Sequence, residues 1–210
     1  MMGGVAGLVI AYLCGSFPSA YLAGRFLKGV DLRTIGSGNL GATNVYRELG
    51  AVPAGIVLLI DGLKGWLPAA LLPGIMGTGF RSSDAAAWWA IAFGAAAIAG
   101  HMKPVFLLGK GGGKGVATAA GVFIALTPLA AVIAIAAFAV VVAATRFVSV
   151  GSMVGAIAMP AAQLMLGGIS PYFFASLTIA AFVVWAHRAN IKRLIAGAEP
   201  RVGKPGSIAR

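Results

Sequence analysis

The sequence predicts an all-α integral membrane protein, and three features of its composition indicate this class. Of the 210 residues, 60% are hydrophobic and only 10% are charged, whereas a soluble domain carries about 25% charged residues. The mean hydropathy is +0.94. Glycine occurs 31 times, and small residues let helices pack closely in lipid. The net charge of +11 is therefore interpreted as a signal of topology and of attraction to anionic lipid, and not of nucleic-acid binding.

Apolar segments separated by polar, glycine-rich or basic turns predict the helices in chain order. The expected segments are Val5–Gly24 with a kink at Pro18, then Ala51–Leu72, Ala85–Gly100, the run Val116–Thr145, Val148–Gly167 and Tyr172–Ala186. One bilayer crossing needs about 20 residues. The run of 30 residues is therefore either one long tilted helix or, if broken at Pro128, a hairpin of two short helices.

The basic residues predict the orientation in the membrane. With the N-terminus outside and a hairpin at Pro128, about seven helices cross, and 14 of the 16 Lys and Arg lie on the inner side, Arg146 among them. Lys64 then lies within a segment, and Arg81 alone lies outside. If residues 116–145 form one crossing, we expect five helices and Arg146 outside. Both counts are expected to place the C-terminus in the cytoplasm, with residues 1–210 forming a single transmembrane domain.

The first polar stretch, Gly36–Arg47, concentrates hydroxyl and amide groups in an otherwise apolar chain. Glycines let backbone N–H groups approach a ligand closely, and the planar guanidinium of Arg47 suits phosphate or carboxylate. The stretch contains a formal G-x-G-x-x-G, but no strand precedes it, so it does not indicate a dinucleotide site. It is interpreted as an anion or polyol site, the alternative being a simple juxtamembrane turn. The candidate residues are Gly36, Ser37, Gly38, Asn39, Thr43, Asn44 and Arg47.

The second stretch, Gly109–Gly115, has three glycines between two lysines and leads into a predicted helix at Val116. Backbone N–H groups in such a loop can form a nest for phosphate, and a helix N-terminus adds favourable partial charge. It is not a Walker A motif, because glycine follows the second lysine where Ser or Thr would bind magnesium. The alternative is a basic loop that only sets topology. The candidate phosphate ligands are Lys110, Gly112, Gly113, Lys114 and Gly115.

Further polar residues lie near the C-terminus and inside the second segment. His187 and Asn190 are three residues apart and would share a face of a continuing helix, with Glu199 beyond them. Asp61 and Lys64 have the same spacing within the membrane, where such residues pair and face the interior of the bundle. Asp61, Lys64 and Glu199 are expected to support the site. No cluster of His, Cys and acidic residues has metal-ligand spacing.

Together these motifs resemble the bacterial acyl-phosphate-dependent glycerol-3-phosphate acyltransferases. They occur in that family's order and spread over nearly the whole chain. The motifs are Gly36-Ser-Gly-Asn-Leu-Gly-Ala-Thr-Asn44, Asp61-Gly-Leu-Lys-Gly65, Gly100-His-Met-Lys-Pro-Val-Phe106, Gly112-Gly-Lys-Gly-Val-Ala-Thr118 and His187-Arg-Ala-Asn-Ile-Lys-Arg-Leu194.

The resemblance implies acyl transfer from an acyl phosphate to the sn-1 hydroxyl of glycerol 3-phosphate, giving 1-acyl-glycerol 3-phosphate and phosphate. It implies a multi-pass enzyme of the cytoplasmic membrane with its site facing the cytoplasm. No cofactor, metal or protein partner is expected; the partners are the two substrates and membrane lipid. Ser37, Arg47, His187 and Asn190 are the expected catalytic residues. The proton acceptor is either His187 or a substrate phosphate.

Two other classes of function remain open from the residues alone. A transporter for a phosphorylated or carboxylated solute could use the same basic loops as a vestibule. The polar stretches all fall on one predicted side of the membrane and no broken-helix pair or internal repeat is apparent, which weakens this alternative. A lipid-binding scaffold without catalysis is the third.

Overall fold

The computed structural model describes residues 2–78 and 84–203, and every regular element in these ranges is helical. The predicted all-α class is therefore confirmed. Arg81, predicted on the outer side, lies outside the described residues. The chain divides into two compact units, the first ending at Leu126 and the second beginning at Thr127.

The first unit holds the two glycine-rich stretches and the helices around them. The interruption predicted at Pro18 is present as a break and not as a kink, because one helix ends at Gly15 and the next begins at Ser19. The helices are α1 (Met2–Gly15), α2 (Ser19–Lys28), α3 (Ala42–Leu49), α4 (Ala51–Ile75), α5 (Asp84–Met102) and α6 (Val116–Leu126), with a 3₁₀ turn at Val105–Leu107.

Glycines bring helices of the first unit into backbone contact. At four positions in the α1–α5 and α4–α6 pairs, a Cβ added to a glycine would overlap the main chain of the facing helix. Such close approach is how small residues drive helix packing in lipid. The contacts join Gly15 to Ala97, Gly100 to Tyr12, Gly65 to Thr118 and Gly121 to Gly62.

The second unit consists of helices packed in sequence, each against the next. They are α7 (Pro128–Thr145), α8 (Val148–Gly167), α9 (Pro171–Ala186) and α10 (Arg188–Ile195). The predicted end of the last apolar segment at Ala186 is confirmed, and the chain continues there as α10 after a bend of 52°.

The described helices fit a multi-span membrane protein. Five helical segments are long and apolar enough to cross, and α9 with α10 would make a sixth. Residues 116–145 form two helices, one ending before Thr127 and the other beginning after it. The alternative of a single helix over this run is therefore wrong. The apolar segments expected from the sequence would have given six crossings in that case, and not five. Helix α6 has 11 residues, about 16 Å of helix, against a hydrocarbon core of about 30 Å. The count of seven crossings stays a prediction.

Candidate functional site

The first polar stretch lies between apolar anchors. Leu32 before it and Leu40, at the end of its loop just before α3, are both buried, and they cluster with Val45 of α3 and Val57 of α4. Burying such side chains contributes about 1.5–3 kcal/mol each. The two ends of the polar loop are therefore fixed to the helices while its middle carries the polar groups.

Asn44 shapes the backbone of this loop from below. Its side chain is 1% exposed. Its Oδ1 accepts a hydrogen bond from the Ser37 N–H at 2.9 Å, and its Nδ2 donates to the carbonyl oxygens of Leu32 (3.2 Å) and Ile35 (3.3 Å). Gly36 has a φ of +59°, and a Cβ there would overlap the Asn44 amide. In this structure Asn44 organises the loop; its predicted contact with substrate stays a prediction.

Three other polar side chains of the same stretch make no hydrogen bond to the described residues. Ser37 is exposed, and Asn39 and Thr43 are half-buried. Within the described part of the chain, no hydrogen bond involves these three side chains. Arg47 is half-buried one helical turn after Thr43, so the two share a face of α3. The stretch thus divides into residues that shape the loop and residues that it presents.

The second glycine-rich stretch lies directly beside the first. The Leu40 N–H donates to the carbonyl oxygen of Gly112 at 3.2 Å. The Arg33 guanidinium donates to the carbonyl oxygen of Lys110 at 3.2 Å, and Asp31 holds that guanidinium at 2.6 Å. The hydrogen bond from Arg33 lowers the pKa of Asp31 to about 2, so the pair stays charged at any physiological pH.

The backbone of the second stretch takes the left-handed turns that favour glycine. Gly111 and Gly115 have φ values of +81° and +79°. Lys110 is exposed, and Lys114 is half-buried just before α6 begins. The two lysines therefore bracket a glycine backbone, which is the arrangement expected for phosphate recognition.

A buried ion pair lies in α4. Lys64 Nζ is 2.8 Å from Asp61 Oδ1, and both side chains are at most 6% exposed. The predicted pairing is therefore confirmed. Ser19 Oγ donates to the same carboxylate oxygen at 2.6 Å, and Lys64 also donates to the carbonyl oxygen of Phe17 at 3.1 Å. Hydrogen bonds of this kind offset part of the cost of burying two charges.

In the second unit, Glu199 is a hub for polar side chains. Its Oε1 accepts hydrogen bonds from Ser149 Oγ (2.8 Å) and Asn190 Nδ2 (2.6 Å), and its Oε2 accepts one from Arg193 Nε (2.7 Å). Burial alone would raise the pKa of Glu199, but the bonds from Asn190, Ser149 and Arg193 outweigh it and hold the pKa below its usual value. Glu199 thereby fixes the orientation of Asn190.

His187 lies buried at the bend between α9 and α10. Its Nδ1 is 2.8 Å from the carbonyl oxygen of Val183. Because a carbonyl can only accept, this contact favours the tautomer with hydrogen on Nδ1. In the neutral ring, Nε2 is then the nitrogen that can take up a proton.

Several residues that support these sites were not found from the sequence. Ser19 and Ser149 lie 42 and 50 residues from their acidic partners, and Arg33 lies 77 residues from Lys110, so only folding brings these groups together. The missed residues are Ser19, Asp31, Arg33, Ser149 and Arg193.

Fold and site together define a multi-span helical membrane protein that carries two adjacent glycine-rich, cationic loops in one unit and a buried His–Asn–Glu group in the other. Among the residues of the described ranges, no three His, Cys, Asp or Glu side chains come together as a metal site would require. The arrangement suits the binding and transfer of anionic groups at a membrane.

Comparison with known proteins identifies the family. The family model described as glycerol-3-phosphate acyltransferase matches residues 5–197. A glycerol-3-phosphate acyltransferase of Parasynechococcus marenigrum (strain WH8102) is 48% identical over 197 residues, covering 94% of this chain and 89% of the relative. One from Synechococcus sp. (strain CC9902) is 44% identical over 199 residues, 95% of both chains.

Two crystal structures of a similar protein share the fold. They are of PlsY (YgiH), an integral membrane glycerol 3-phosphate acyltransferase. Its glycerol 3-phosphate form is 37% identical with a TM-score of 0.85, covering 95% of this chain and 96% of that one. Its lysophosphatidic acid form is 36% identical with a TM-score of 0.82, covering 95% of each.

The chain belongs to the glycerol-3-phosphate acyltransferase family. The family resemblance expected from the motifs is thus confirmed, and with it the class of enzyme, an acyltransferase integral to a membrane. The transporter and scaffold alternatives are set aside on the same finding.

Proposed function

We propose that this enzyme transfers an acyl group from an acyl phosphate to the sn-1 hydroxyl of glycerol 3-phosphate, releasing 1-acyl-glycerol 3-phosphate and inorganic phosphate. The choice of glycerol 3-phosphate as acceptor rests on one observation: the relative with 37% identity has a glycerol 3-phosphate form, and there is a lysophosphatidic acid form of the same protein. These are the acceptor and the acylated product of this reaction. The family match spans both units, which supports residues 1–210 acting as one domain.

The donor is proposed from the sequence. Many acyltransferases that use thioesters carry an H-x-x-x-x-D motif. In this chain Phe106 stands at that distance after His101, and Lys192 after His187. With an acyl phosphate, the hydroxyl oxygen bonds to the acyl carbon, the bond from that carbon to the phosphate oxygen breaks, and phosphate leaves with the electron pair. The hydroxyl proton passes to a base.

The loops of the first unit supply the anion contacts that this reaction needs, since both substrates and one product carry phosphate. We assign binding of the phosphate of glycerol 3-phosphate to Arg47 together with the backbone and lysines of the second stretch, residues 109–115. Ser37 is assigned to the reacting centre, because its hydroxyl is exposed and makes no hydrogen bond within the described residues. Asn39 and Thr43, on the same loop, are assigned to the polyol.

Replacement of His187 would distinguish the two candidate proton acceptors. If Nε2 of His187 is the base, His187→Ala should lose about 10²–10⁴-fold in rate and change the acidic limb of the pH profile. If a substrate phosphate, whose second pKa is near 6, takes the proton, the variant should lose mainly affinity and keep the wild-type profile. Asn190, oriented by Glu199, is assigned to hold the acceptor or polarise the acyl carbonyl.

The site is proposed to face the cytoplasm from the cytoplasmic membrane. The basis is the concentration of Lys and Arg in the loops that carry the polar stretches, because such residues are enriched on the cytoplasmic side. The substrates would then be reached from the compartment where phosphorylated metabolites occur, and the acyl chain would lie among the apolar helices.

The experiment follows phosphate release by the purified protein with acyl phosphate and glycerol 3-phosphate. We expect turnover with acyl phosphate and none with acyl-CoA of the same chain length. Equal rates with acyl-CoA would overturn the donor assignment. Absence of acylation with every donor, with the protein folded, would overturn the proposed function.

A further inference from the structure

The second glycine-rich stretch rests directly on the C-terminal end of α5. The Gly113 N–H donates to the carbonyl oxygen of His101 at 3.2 Å. A Cβ added to Gly113 would overlap the His101 imidazole, with Nε2 its nearest atom. A Cβ added to Gly112 would instead overlap the backbone of Met102 and His101. Gly113 therefore lacks a side chain because an imidazole ring occupies that space.

The same ring faces the buried ion pair of α4. His101 is 6% exposed, and its Nδ1 lies 3.8 Å from Asp61 Oδ1, the oxygen that also binds Lys64 and Ser19. Nδ1 makes no hydrogen bond within the described residues, so packing against Gly113 and the approach of Nδ1 to the Asp61 carboxylate hold the ring. The cavity lined by Lys64, His101 and Gly112 is about 10 Å³, close to the space of one water.

We propose that His101 is a positioning residue for the second glycine-rich stretch: the Asp61–Lys64–Ser19 cluster holds its ring against Gly113, and the ring sets the backbone shape that receives phosphate. This rests on the proposed phosphate-binding role of residues 109–115. The phosphate site then extends inward, from the loop through the His101 ring to the ion pair of α4.

A double-mutant cycle on His101 and Gly113 tests the contact. Gly113→Ala should weaken glycerol 3-phosphate binding, because the methyl group displaces the ring or the loop. His101→Asn keeps a polar group towards Asp61 but vacates the space beside Gly113, and should raise KM with kcat nearly unchanged. In the double variant the new methyl group fits the vacated space. The double variant should therefore lose less affinity for glycerol 3-phosphate than the product of the two single losses, by a factor of about 2 to 100, as for residues in contact.

Gly112→Ala is the matched control. Its added methyl group meets main-chain atoms, which His101→Asn does not remove. We therefore expect His101→Asn to leave the loss caused by Gly112→Ala unrelieved. Three results would each overturn the proposal. The affinity losses of His101→Asn and Gly113→Ala could simply multiply in the double variant, or His101→Asn could relieve the loss of Gly112→Ala equally. The third is an unchanged KM for glycerol 3-phosphate in His101→Asn. If Gly113→Ala alone does not fold, the double variant must fold for the proposal to stand.

The link to the ion pair needs its own cycle. Asp61→Asn with Lys64→Gln removes both charges together, so neither is left buried alone. It should raise KM for glycerol 3-phosphate, and adding His101→Asn should cause little further loss because both act through one ring. If the affinity losses of the charge-pair variant and of His101→Asn multiply, the proposed link between the ion pair and the His101 ring is overturned.

Binding is measured separately from turnover, as the stabilisation of the purified protein by glycerol 3-phosphate on heating. A wild-type protein that binds glycerol 3-phosphate without turning over acyl phosphate refutes the donor assignment, while both cycles remain measurable by binding. If the wild type binds glycerol 3-phosphate but the affinity losses of the variants multiply, only the positioning role of His101 is refuted, and the proposed function stands.

Discussion

Replacing Asn44 with alanine should unfold the first polar loop and destabilise the protein. Three hydrogen bonds are lost, at 2.9, 3.2 and 3.3 Å. Each contributes a net 0.5–1.5 kcal/mol, roughly 1.5–4.5 kcal/mol together. Ser37 is exposed, so water can satisfy its freed N–H, and we expect about 3 kcal/mol. For a chain of this size that lowers the melting temperature by about 6–12 °C.

The assay compares melting temperature and acyl transfer in the same detergent preparation. Asn39→Ala is the matched control, because its amide makes no hydrogen bond within the described residues. Asn44→Ala should lower both melting temperature and activity, whereas Asn39→Ala should lower activity alone. The assignment of Asn44 as loop organiser is refuted if Asn44→Ala melts as the wild type does and only raises KM.

Three further outcomes are expected. Ser37→Ala should lower kcat by about 10²–10³-fold, as for loss of one donor at a reacting centre, without changing the melting temperature; unaltered kcat and KM would remove the first loop from the active site. Glu199→Gln should lower the melting temperature most at neutral pH. Because the pKa of Glu199 is held below 4.5, its charge stabilises the fold above that value, and the difference should shrink as the pH falls through the lowered pKa; a pH-independent difference would contradict this. In a cysteine-free background, Ile169→Cys should react with an impermeant reagent from outside and Leu108→Cys should not, both positions being exposed; the reverse pattern would invert the predicted orientation.

The helices were predictable because each apolar segment is limited by local sequence signals. The boundaries of α8, Val148–Gly167, match the expectation, and Pro128 starts a new helix as its ring requires. The end of α9 at Ala186 also matches the expectation, because the apolar pattern stops there, whereas no Pro or Gly marks the bend of 52° after which α10 follows.

Local spacing also predicted part of the site. Asp61 and Lys64 pair because residues three apart share a helix face. Ser19 lies 42 residues from Asp61, and Arg33 lies 77 residues from Lys110. Such partners depend on which helix faces pack together, and spacing along the chain carries no information about that.

Composition likewise could not separate the roles within the first stretch. Asn39 and Asn44 are the same residue type five positions apart, yet one is buried in hydrogen bonds to the main chain and the other is not. The difference arises from the helix that begins at Ala42, which turns the Asn44 amide back under the loop.

The glycine contacts between helices also limit how lipid can reach the enzyme. Where the backbones of α1 and α5, or of α4 and α6, meet without intervening side chains, a methylene chain has no space to pass between them. A fatty acyl chain therefore cannot enter the first unit sideways at these four contacts. Widening such a contact would mean separating two main chains, whereas a gap lined by side chains can open by rotation about χ angles alone. Lateral entry of the acyl chain is thereby confined to places other than these contacts.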